Sequence, residues 1–188
     1  MRVPIGIVAA LLLAATSQAQ AQWFDSRGIM SGGPSFFGGG AGPIPRETVY
    51  YPVNYAPGTI VINTRERRLY LVLGNGQALR YGIGVGRDGF RWSGVHRVSA
   101  KKEWPSWTPP RQMLARRPDL PRYMKGGIEN PLGARALYLG STLYRIHGSN
   151  EPETIGHAVS SGCFRMTNED VVDLYNRVSV GATVIVKN

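Results

Sequence analysis

Arg145-Ile-His-Gly-Ser149, followed by Ile155-Gly-His-Ala-Val-Ser-Ser-Gly-Cys-Phe-Arg-Met166, is the stretch around which the chain reads. It holds the only cysteine of the sequence and two of its three histidines, His147 and His157. Fifteen residues lie between His147 and Cys163. A thiol needs a neighbouring base or positive charge to act as a nucleophile near neutral pH. Here a base, a thiol and a cation (Arg165) fall in one short window. Taken alone, Cys163 has three readings: an intermolecular bridge, a reactive thiol, or an inert buried side chain. The glycine-rich, polar flanks favour the reactive one.

Immediately downstream, Thr167 has the character of a helix cap, with Glu169 and Asp170 in the first turn where acidic side chains complement the backbone dipole. Val171, Val172, Leu174, Tyr175 and Val178 follow at helical spacing. Thr183-Val-Ile-Val-Lys187 reads as a closing strand. Upstream, Thr59–Asn63 and Arg68–Leu73 read as strands. Asn75-Gly76 is a strong two-residue hairpin signal, with Ala78–Val85 as the returning strand. Gly82, Gly84 and Gly86 allow close backbone approach. Their spacing does not match a nucleotide-binding loop, and no helical pattern follows them. Ala136–Leu139 and Thr142–Ile146 form two more expected strands around a turn at Gly140, with His147 at the end of the second. The fold class expected is mainly β, with one clear helix following the nucleophile.

Between them, residues 91–133 read as irregular. This segment is rich in proline, carries Trp92, Trp104 and Trp107, and has a basic excess including Lys101, Lys102, Arg111, Arg116 and Arg117. Aromatic residues mixed with cations argue for an ordered lid rather than a linker. The same mixture suits single-stranded nucleic acid, but the N-terminus argues for export. Arg2, the apolar run to Ala15 and the small residues of Ser17–Ala21 form a signal-peptide pattern over 1–21. Residues 22–57, rich in Gly, Pro and Ser, read as a flexible tail, and 58–188 as the folded domain. The expectation is an exported protein of the periplasm or cell envelope with no membrane span in its mature form. The net charge of +10 then points to an anionic envelope polymer rather than nucleic acid.

The chemistry expected of the window is acyl transfer. Cys163 attacks a carbonyl, and His147 takes the thiol proton and returns it. The backbone N–H groups of Gly162 and Cys163 are the candidate oxyanion hole, each such donor being worth about 3–4 kcal/mol. Arg165, on the same face as Cys163 if the segment is extended, is the candidate fork for a substrate carboxylate. His157 reads as a loop residue. Three histidines and one cysteine at these spacings match no zinc pattern, so no metal or other cofactor is expected.

His147-Gly148, the spacing to the cysteine, and Ser160-Ser-Gly-Cys-Phe-Arg165 resemble the signature of L,D-transpeptidases of the YkuD-like family. The likeness extends over Asn130–Tyr138, Met166–Tyr175 and Trp104–Pro110, and covers about 58–187. It implies a β-sandwich-like catalytic domain acting on peptidoglycan stem tetrapeptides. The thiol would attack the carbonyl before the terminal D-alanine, which leaves. An amine of a second stem would then take the acyl group, giving a 3-3 cross-link. By this resemblance Cys163 is the nucleophile and His147 its proton partner. Gly148, Ser161 and Gly162 shape the site with Arg165. Some members carry a histidine where this chain has Ser161. Others attach an outer-membrane protein to peptidoglycan, so such a protein is one acceptor the resemblance allows. Water as acceptor would make an L,D-carboxypeptidase. A wall-binding module without turnover is a further reading, though binding needs no thiol.

Overall fold

The computed structural model describes residues 44–188. The expected signal segment and the greater part of the expected tail lie outside the described residues. The first strands are β1 (Glu47–Tyr50), β2 (Ile60–Asn63), β3 (Arg68–Gly74), β4 (Gln77–Gly82), β5 (Val85–Gly86) and β6 (Gly94–Glu103). A short helix α1 (Arg111–Arg116) precedes β7 (Arg135–Leu139), β8 (Arg145–His147), β9 (Ala158–Ser160) and β10 (Phe164–Arg165). Helix α2 (Asn168–Arg177) and β11 (Thr183–Lys187) complete the chain. Among the described residues no helix is long and apolar enough to cross a membrane.

Nine strands join in the order β1-β4-β3-β2-β11-β6-β7-β8-β10, and β5 pairs with β9 apart from them. The long strand β6 links two halves. Its first residues pair with β11 and its later ones with β7, with a register shift between Val98 and Ala100. Such a shift bends a strand and increases its local twist. One core draws on both halves and on α2. It contains Ile60, Ile62, Leu69 and Tyr81 from β2–β4; Val98, Leu137, Ile146 and Phe164 from the other half; and Val171 and Leu174 from the helix. The expected mainly β, sandwich-like architecture is therefore built from a nine-stranded sheet wrapped around a shared core.

Local chemistry explains the elements that position the site. Asn75 (φ 51) and Gly76 (φ 69) both occupy the left-handed region, as a two-residue hairpin turn requires. The Thr167 hydroxyl accepts from the Asp170 N–H at 3.2 Å and caps α2. At the other end of the helix, Lys101 Nζ donates to the carbonyls of Tyr175 and Val178, both at 2.6 Å. It thereby satisfies acceptors near the C-terminus of α2.

Four expectations need correction. The tail does not extend unstructured to residue 57: Glu47–Tyr50 pair with β4, Tyr51 stacks on Tyr70 with ring centroids 4.4 Å apart, and Arg46 reaches Asp170 at 3.3 Å. The β4 edge and the buried Tyr70 cluster, against which Val49, Tyr51, Val53 and Tyr55 pack, give this segment its partners. Residues 91–133 are not irregular throughout, because they contain β6 and α1. Only Val98 of β6 is buried and no residue of α1 is, so neither element carries an apolar period. The basic excess there is partly structural, as Lys101 shows. Finally, β8 starts at Arg145 rather than Thr142, because the Thr142 hydroxyl closes a turn by donating to the Leu139 carbonyl at 2.6 Å and accepting from the Tyr144 N–H.

Candidate active site

Two parallel strands set the site. β10 lies beside β8 with Phe164 opposite Ile146 and Arg165 opposite His147. Cys163 therefore leaves the ladder one residue early, beside the strand that ends in His147. Gly84, between β4 and β5, and Gly86 of β5 let a second backbone layer close in. Gly84 exchanges both backbone hydrogen bonds with Arg165, at 2.9 Å each, and a Cβ there would lie 2.9 Å from the Thr154 carbonyl oxygen. A Cβ at Gly86 would lie 2.5 Å from the Phe90 carbonyl oxygen and 3.3 Å from Gly162.

The turn that carries the cysteine is locked from three sides. The Ser160 hydroxyl donates to the Cys163 carbonyl at 2.6 Å and accepts from the Gly162 N–H at 3.1 Å. Trp92 Nε1 donates to the Gly162 carbonyl at 2.8 Å. Trp92 in turn stacks on Tyr144 at 4.5 Å and leans on Phe164. Gly162 has φ +111, and a Cβ would strike the Tyr144 ring. The expected pair of oxyanion donors is corrected by this turn. The Gly162 N–H is taken up by Ser160, which leaves the Cys163 N–H as the candidate of the two.

His147 is buried, and its Nδ1 lies 2.6 Å from the Gly148 carbonyl. A carbonyl oxygen only accepts, so Nδ1 carries the hydrogen and Nε2 presents its lone pair. Burial pushes the imidazole pKa down to about 3; the Gly148 contact opposes this, and the charges of Arg165 and Arg145 reinforce it. The ring is thus neutral at physiological pH. Gly148 is held by a further side chain that sequence reasoning did not single out. Asn168, first residue of α2, accepts from the Ala134 N–H at 2.9 Å and donates to the Ser149 carbonyl at 3.1 Å. A Cβ at Gly148 would collide with its oxygen. The Glu169-Asp170 charge pattern marked the helix start, but nothing in the sequence pairs Asn168 with the His-Gly segment.

Cys163 is half-buried, and its thiol donates to the Leu143 carbonyl at 3.8 Å. Burial pushes the thiol pKa up, while the charge and N–H groups of Arg145, and more weakly Arg165, oppose that rise. The pair at rest is accordingly a neutral thiol and a neutral imidazole. Cys163, His147, Ser161, Arg165 and Arg145 all line one groove of about 320 Å³, walled by Trp107, Met113 and Arg116 of the 91–133 segment and by Leu143 and Tyr144. His157 is exposed and does not line the groove; its backbone accepts from Val85 and donates to Thr154. Arg165 is not free to fork a carboxylate in this state, because Nη1 donates to Glu151 at 2.7 Å.

A β domain that gathers a lone thiol, a tautomer-fixed neutral imidazole and several guanidinium groups in one groove has the make-up of a cysteine-nucleophile transferase site. Residues 57–186 match the family model for the L,D-transpeptidase catalytic domain, YkuD. The chain is similar to the probable L,D-transpeptidase YbiS of Escherichia coli K12, with 40% identity over 134 residues, 66% of this chain and 43% of that protein. Among solved structures it resembles an L,D-transpeptidase from Mycobacterium smegmatis, with a TM-score of 0.56 and 17% identity over 69% of this chain and 58% of the other. It also resembles a Brucella melitensis protein described as a probable carnitine operon oxidoreductase, with a TM-score of 0.52 and 47% identity over 74% of this chain and 91% of the other. The chain belongs to the L,D-transpeptidase (YkuD) catalytic-domain family. It spans less than half the length of the E. coli relative.

Proposed function

We propose that this protein is an exported L,D-transpeptidase that takes acyl groups from peptidoglycan stem tetrapeptides through a thioester on Cys163. The observation that carries the reading is His147, whose Nδ1–H is committed to Gly148, which leaves the lone pair on Nε2 of a residue lining the same groove as Cys163. As Sγ bonds to the carbonyl carbon between the third residue and the terminal D-alanine, the S–H proton passes to Nε2. The carbonyl π pair moves onto oxygen, where the Cys163 N–H receives it. Collapse of this intermediate breaks the C–N bond, and the amine of D-alanine leaves with the proton from His147. An amine of a second stem then attacks the thioester, gives its proton to Nε2 and releases the thiol. The bond formed joins the third residues of two stems. The cationic groove walls and the net charge of +10 suit an anionic polymer. The signal-peptide pattern suits an envelope location.

The test is incubation of the protein with a disaccharide tetrapeptide. Cross-linked dimer with release of D-alanine is the expected result. Tripeptide with D-alanine and no dimer would make water the acceptor and the enzyme a carboxypeptidase. Retained binding without either product would leave a wall-binding module.

A further inference from the structure

Arg145 is a charged side chain of the groove with no task in the reaction just described. Arg145 opens β8, two residues before His147. The parallel register of β8 and β10 brings Cys163, one residue before its ladder begins, level with Arg145. The sulfur lies against the same segment, 3.8 Å from the carbonyl of Leu143. Arg145 and Cys163 both line the groove. The guanidinium stands over the ring of Tyr138, 5.2 Å from its centroid, a placement that steadies a cation without neutralising it. Its Nε is buried and has no hydrogen-bond partner among the described residues. A buried donor without an acceptor is unfavourable at rest and calls for an explanation in terms of function. Of the other charged groups here, Arg165 is paired with Glu151 at 2.7 Å, and Arg116 stands over Phe90, 5.1 Å from its ring centroid. His147 is neutral, and Ser161 brings no charge to the turn.

We propose that Arg145 is the positioning residue that supplies the positive charge for the sulfur of Cys163, holding the anion that forms as the thiol proton moves to the neutral His147. The S–H bond breaks, its proton goes to Nε2, the electron pair stays on sulfur, and Arg145 exchanges no proton at any point. The guanidinium then offsets the charge on sulfur, while His147 carries the proton as an imidazolium that burial disfavours. Arg145 counters the burial that otherwise raises the thiol. The proposal deepens the acyl-transfer reading and rests on Cys163 being its nucleophile.

The experiment is the pH dependence of Cys163 alkylation by iodoacetamide in the full chain, which needs no peptidoglycan. Arg145→Gln is expected to move the midpoint up by about one pH unit or more, a tenfold loss of thiolate at fixed pH, with Arg145→Lys recovering most of it. His147→Gln is expected to leave the midpoint within about half a unit of the starting protein. An unmoved midpoint in a folded Arg145→Gln protein overturns the proposal. If that variant does not fold, His147→Gln decides. A rise of more than about one unit there would mean that the imidazole supplies the charge, and overturns it equally. Failure of the tetrapeptide assay alongside a shifted midpoint would count against the substrate and not against Arg145.

Discussion

Arg165 lies opposite His147 in the β8–β10 ladder, yet its guanidinium turns to Glu151, with Nη1 2.7 Å from Oε2. The side chain expected to hold a substrate carboxylate already holds one of the protein's own. Glu151 is half exposed, so the pair contributes at most about 1 kcal/mol to stability and is open to exchange. If Arg165 binds donor peptide, Glu151→Gln removes a competitor, and KM for the tetrapeptide is expected to fall severalfold with kcat little changed. Steady-state kinetics reads this directly; an unchanged KM would assign Arg165 to the fold.

His147 leads to a pH prediction. A general base must be unprotonated, and burial holds this imidazole down to about 3. The acid limb of kcat/KM is therefore expected below about pH 5, under the ordinary histidine value of about 6.5. A limb centred near that ordinary value would contradict a buried ring. His147→Gln is expected to lower kcat by about 10²–10⁴-fold.

The cysteine turn gives a structural prediction. Gly162 has φ +111 and sits against Tyr144, where a methyl group has no room. Gly162→Ala is expected to cost about 1–3 kcal/mol in unfolding free energy. It should also lower turnover about 100-fold by displacing the sulfur. Chemical denaturation together with D-alanine release tests both. Wild-type stability and turnover would contradict the strain argument.

Much of this arrangement is legible in the residues before any coordinates. The hairpin at Asn75-Gly76, the Thr167 cap and the apolar strands β2, β3 and β11 each follow from local chemistry. What escapes is long-range. β6 alternates polar residues around a single buried Val98, so its strand character comes from its partners β11 and β7. β1 exists because β4 presents an edge. Arg145 stands level with Cys163 only through the parallel pairing of β8 with β10, a register that sequence spacing does not announce. Ser160 takes the Gly162 N–H through a turn whose closure no spacing rule announces.

The contact between the N-terminal segment and α2 should respond to pH. Asp170 is buried, and its pKa is raised to about 6 by burial, against the opposing charge of Arg46. Its folded pKa exceeds its unfolded value, so the folded state holds the proton more tightly over that interval. Its contribution to stability is then full below about pH 4 and lost as pH rises through about 6. Asp173, which accepts from Tyr81 and Arg177, has a lowered pKa and acts in the opposite direction, as does the depressed His147. The isolating measurement is the difference between Asp170→Asn and the unaltered protein. The variant is expected to lose less stability between about pH 4 and pH 6. Parallel curves would remove Asp170 from the linkage.

The central claim is that acyl transfer runs through the sulfur of Cys163. Mass spectrometry of the protein after brief exposure to tetrapeptide donor tests it most directly. The expected result is a stem-tripeptide acyl adduct on the peptide containing Cys163, accompanied by free D-alanine and absent in Cys163→Ala. Undiminished D-alanine release by Cys163→Ala, with no adduct on the unaltered protein, would contradict it.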